Sequence, residues 1–76
     1  MYKYFVLLDT INKVKEFVNL SQRIDSKVYL QHNEYVVDAK SIMGIFSLDL
    51  SKPCCFMVDK ELNEEIYKEL KKYMIE

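Results

Sequence analysis

The sequence predicts an α+β fold: an open-faced β-sandwich of order βαββαβα, with an antiparallel-rich four-stranded sheet and its helices on one face. Three observations predict it. Short runs rich in aromatic and β-branched residues recur at Tyr4 to Leu8, Lys27 to Gln31, Tyr35 to Asp38 and Cys54 to Val58, which is strand length and strand composition. Between and after these runs the apolar residues change to helical spacing. His32-Asn33-Glu34 is a turn between two successive strands, so those two read as a hairpin.

The elements follow in order. Tyr4 to Leu8 stops at Asp9-Thr10, and Ile11, Val14, Phe17, Val18 and Ser21 then repeat at helical period to about Gln22. Thr10 or Asp9 is the cap, and the Asp9 charge suits the positive end of the helix dipole. The hairpin follows, and Ser41 caps a second, short helix by accepting a bond from the backbone N–H of Met43 or Gly44. Lys52-Pro53 breaks the chain before Cys54 to Val58, at a strand start where proline's missing N–H is tolerated. Asp59 is expected to cap a last helix with Leu62, Ile66, Leu70, Tyr73 and Met74 along one face. Acids occupy its first turns and Lys68, Lys71 and Lys72 its last, as the dipole favours. Helices gathered on one side of an antiparallel sheet make the open sandwich.

With 76 residues the chain reads as a single domain over residues 1–76, burying roughly 60% of its unfolded surface. Half of the residues are apolar and charges of both signs are interspersed, as in an ordinary globular chain. A net charge of −1 offers no clustered basic face for nucleic acid. The apolar start from Met1 to Leu8 is too short to span a bilayer and lacks a small-residue cleavage site, so a cytoplasmic location without membrane contact is expected. Cys54 and Cys55 are the only cysteines. Adjacent residues of a strand point to opposite faces, so they are read as reduced thiols. Two sulfurs and one distant histidine do not make a zinc spacing, and no cofactor or metal is expected.

The stretch Lys40-Ser41-Ile42-Met43-Gly44-Ile45-Phe46-Ser47-Leu48 crowds more large apolar groups onto a short helix than it can bury, which predicts a contact surface. This stretch resembles the second-helix signature of HPr, the small phosphocarrier of the bacterial sugar phosphotransferase system, and the order of strands and helices around it is similar. The resemblance implies the same open sandwich. It also implies a histidine at the start of the first helix that accepts a phosphoryl group from Enzyme I and passes it on. The family pattern there is Gly-(Ile/Leu)-His-(Ala)-Arg-Pro-Ala. Counting back from Ser41 puts Thr10 at the histidine, Asn12 at the arginine and Lys13 at the proline, and Gly44 is the only glycine in the chain.

The relay needs a nitrogen whose phosphoryl form stays reactive, whereas a phosphothreonine at Thr10 would be a stable ester. Asp9 beside it would repel phosphate at a helix start that otherwise favours anions. The only histidine, His32, sits in the hairpin turn beside Gln31, Asn33 and Glu34 and reads as a surface residue. Ser41 matches the serine that a dedicated kinase phosphorylates in HPr of Gram-positive bacteria, weakening Enzyme I binding and promoting binding to a transcription regulator. Phosphate there would add about −1.5 to −2 charges at a helix start. Lys40, Ile42, Met43 and Phe46 match the patch by which HPr docks on its partners.

Strand alternation marks a second surface. If Val6, Leu8, Val28, Leu30, Val37, Cys54, Phe56 and Val58 face the helices, then Phe5, Leu7, Tyr29, Cys55 and Met57 form an apolar open face. Such a face predicts association with a second copy or another protein. The leading expectation is an HPr-like, non-catalytic protein-binding or regulatory domain. An atypical phosphocarrier or Ser41-regulated component of the phosphotransferase system is the alternative, and an enzyme subunit using Cys54 or Cys55 the third reading.

Overall fold

The computed structural model describes residues 1–75. Its elements are β1 (Tyr2–Val6), α1 (Ile11–Gln22), β2 (Val28–His32), β3 (Tyr35–Asp38), α2 (Ile42–Phe46), β4 (Cys54–Val58) and α3 (Glu64–Leu70). The four strands form one antiparallel sheet of order β1-β4-β2-β3. This is the expected open sandwich, with β4 threaded between β1 and β2. No helix among the described residues is long and apolar enough to cross a membrane.

The alternation of the strands sets the core. Val6, Val28, Leu30, Cys54, Phe56 and Val58 are buried beneath the helices with Val14, Phe17, Leu20 and Ile45. At its centre Phe17 meets Phe56 edge-on at 4.9 Å between ring centroids and Tyr73 at 5.7 Å. Burial first, and then Glu16, hold the Tyr73 phenol above its usual pKa. The hairpin from β2 to β3 closes at Asn33, whose φ of 54° is in the left-handed region that asparagine tolerates. His32 pairs with Tyr35 at the end of the ladder. Gly44 lets α2 lie close on β3, because a Cβ there would come within 3.3 Å of Val37 Cβ and 3.4 Å of Ser41 Oγ.

Four expectations are corrected. β1 starts and ends two residues earlier than the apolar run suggested, so Leu7 and Leu8 lie beyond it. Ile11, the first residue of α1, is not a core residue but is 63% exposed. Asn63, not Asp59, caps α3, its side chain accepting the Ile66 N–H at 2.8 Å. Lys71 is the C-cap of that helix, which therefore ends before Lys72, Tyr73 and Met74. The chain then turns back along β1: Leu7 N–H donates to the Tyr73 carbonyl at 2.8 Å and Ile75 N–H to the Phe5 carbonyl at 3.1 Å. Met74 bridges Val6, so residues 73–75 cover part of the β1 edge.

Ser21 is fully buried in α1, and its hydroxyl has no hydrogen-bond partner. An unsatisfied buried hydroxyl carries its desolvation cost uncompensated, and alanine is the better helix former. Ser21→Ala is expected to raise stability by about 1 kcal/mol in urea unfolding. A loss of stability would mean that the hydroxyl is bonded after all.

Candidate functional site

Two segments carry the candidate residues, α2 and the start of α1. Ser41 begins α2 in extended conformation, and its Oγ accepts the Gly44 N–H at 3.1 Å, so of the two expected donors the Gly44 amide is used. The Ser41 carbonyl accepts the Ile45 N–H, and Ser47 Oγ donates to the Gly44 carbonyl at 2.6 Å. This one short helix is thus fastened at both ends.

Its side chains divide sharply. Ile45 is fully buried and Ile42 is half-buried against the core, whereas Met43 is 78% and Phe46 43% exposed. The patch expected from the sequence is therefore carried by Met43 and Phe46, with Ile42 at its inner margin. Lys40 is half-buried, and its ammonium donates to the Ile24 carbonyl at 2.9 Å. Gln22 Nε2 reaches the Lys40 carbonyl at 3.5 Å. These bonds tie the end of α1 to the start of α2, so Lys40 positions the patch as well as bordering it. Nothing in the local pattern distinguished this lysine from a solvated one.

At the start of α1, Thr10 is exposed and its Oγ1 accepts the Lys13 N–H at 3.1 Å. The Lys13 ammonium bonds the Asp9 carboxylate at 2.9 Å and holds its pKa below the usual carboxylate value. The cap hydroxyl and a paired carboxylate are the groups beside this helix start, together with exposed Ile11. The one histidine, His32, ends β2 level with Cys54 and Val6, on the hairpin side of the sheet, half-buried and with its Nε2 3.5 Å from Asn33 Nδ2. A hydroxyl cap can be esterified but does not make a labile phosphoryl nitrogen.

The open face carries Phe5, Tyr29, Cys55 and Met57, with Leu7 continuing the alternation past β1. Phe5 is 57% exposed and the others half-buried. Val36, which the sequence reading did not include, joins them at 51% exposure. Its signal was the hairpin register, which pairs it with Gln31 on that face. Burial pushes the Cys54 thiol up, which disfavours a reactive thiolate. Among the described residues no group of three or more histidine, cysteine or acidic side chains could hold a metal.

Residues 12–75 match the PTS-HPr family, described as the PTS HPr component phosphorylation site. The fold is similar to the crystal structure of HPr-C-His from Thermoanaerobacter tengcongensis, with a TM-score of 0.75 and 24% sequence identity over 95% of this chain and 89% of that one. At that identity the likeness is one of fold. No curated protein matches the sequence.

Proposed function

The chain belongs to the PTS-HPr family, whose members are phosphocarriers that interact with other proteins of the phosphotransferase system, and from that premise we propose that this one binds such a protein through α2 without relaying phosphate. The observation that carries this reading is the exposure of Met43 and Phe46 on a helix anchored at both ends. An apolar pair held rigidly in solvent loses little entropy on docking, and such residues supply the central contacts of small interfaces. Thr10 capping α1 where the family's histidine is expected supports a non-catalytic role. The domain would occupy a binding surface and be regulatory by competition.

The test is a competition assay in which Enzyme I and phosphoenolpyruvate phosphorylate ordinary HPr. Adding this chain in excess is expected to slow the transfer, because both proteins present the same kind of patch to Enzyme I. An unchanged rate at a large excess would exclude Enzyme I as the partner and overturn the competitive reading.

Ser41 favours a second, compatible reading as a Ser41-regulated component. Ser41 is half-buried, two residues before Met43, and its hydroxyl accepts the Gly44 N–H. A phosphate there would add charge at the edge of the apolar patch and disfavour apolar docking. The same kinase reaction that modifies ordinary HPr would test this.

A further inference from the structure

We propose that the open sheet face pairs with the same face of a second copy, about a two-fold axis running parallel to the strands. The registers define two rows of side chains across all four strands of that face. One row is Lys3, Met57, Tyr29, Asp38. The next is Phe5, Cys55, Gln31, Val36. An ordinary open sandwich presents a polar face to water, whereas this one carries Phe5, Val36, Met57, Tyr29 and Cys55 with neutral Gln31 among them, and opposite charges at the two ends of one row.

The charges choose the occupant. Lys3 and Asp38 are both exposed and end the same row on opposite edge strands. Rotation about an axis along the strands reverses the order of strands in the facing sheet and keeps each row level with itself. Lys3 of one copy then lies over Asp38 of the other, twice by symmetry, as an isologous interface requires. In the same operation Met57 faces Tyr29, Phe5 faces Val36, and Cys55 faces Gln31. Each apolar group in these rows thus meets an apolar or neutral one, and each charge meets its opposite. Asp38 accepts the Lys40 N–H at 2.8 Å on one carboxylate oxygen, Oδ1, so its head is oriented before pairing.

Sheets packed face to face sit about 10 Å apart with strands nearly aligned, a gap that a lysine and an aspartate can bridge. Strand spacing and rise give a face of roughly 19 by 17 Å. That is well below the ~800 Å² per partner of a tight complex, so the pairing is weak and concentration-dependent. The helices lie on the other side of each sheet. The dimer would therefore carry two α2 patches on its outer surfaces, which raises avidity for a clustered target.

Sedimentation equilibrium of the whole chain tests this. The expected result is a shift from monomer toward dimer mass, with a dissociation constant on the order of 0.1 mM. Lys3→Asp and Asp38→Lys each set like charges against one another at two symmetric points, and each is expected to weaken dimerisation at least about tenfold. The double variant Lys3→Asp/Asp38→Lys restores opposite pairing and should recover wild-type association. Thermal unfolding of each variant separates lost pairing from lost folding. A wild-type chain that stays monomeric at about ten times that concentration would overturn the proposal. So would a double variant no better than the single ones.

Discussion

Phe56→Ala is expected to remove about 3–5 kcal/mol of stability, the cost of deleting a buried aromatic ring and leaving a cavity. A domain of this length has only about 4–11 kcal/mol in total. The variant should therefore lose a large share of its stability margin. Phe56 has this weight because β4 is an interior strand, paired with both β1 and β2, and its ring is fully buried. It packs edge-on to Phe17 and lies 6.4 Å from Tyr4, and Phe17 in turn contacts Tyr73. Urea unfolding followed by circular dichroism measures the loss directly. A decrease of less than about 1 kcal/mol would contradict this core, since even modest truncations cost that much.

Met43→Asp is expected to separate binding from folding. Met43 is the second residue of α2, where a carboxylate interacts favourably with the helix dipole, and its side chain leaves the surface. Stability should change by no more than about 0.5 kcal/mol. Affinity for Enzyme I should fall by at least about 2 kcal/mol, roughly 30-fold, because a charge would be buried in an apolar contact. Calorimetric titration of wild type and variant gives both numbers. Equal affinities would move the docking surface away from α2.

The elements were legible in the sequence because local chemistry decides them. Period-two runs became strands, and Thr10 and Ser41 cap the helices that follow them, each with its side chain on the backbone N–H three residues on. What was not legible is non-local. Asp59 is as good a cap type as Asn63, yet residues 59–63 are needed to carry the chain from the end of β4 to α3. Tyr73 and Met74 continue the helical pattern, yet the β1 edge offers them backbone partners that end the helix early. At the candidate site, the patch was visible as an excess of apolar residues, but its division was not. Only the placement of α2 against β3, permitted by Gly44, turns Ile45 inward and Met43 outward. Lys40 looked like a surface charge, and the carbonyl it binds belongs to Ile24, far away in sequence.

The central claim is that this HPr-family chain engages its partners without carrying phosphate at the start of α1. The most direct measurement is intact mass after incubation with Enzyme I and phosphoenolpyruvate, with ordinary HPr as the positive control. The account predicts an unchanged mass for this chain while the control gains an acid-labile phosphoryl group. An acid-labile adduct on this chain, mapped to His32 or to any other nitrogen, would contradict it and return the protein to the phosphocarriers.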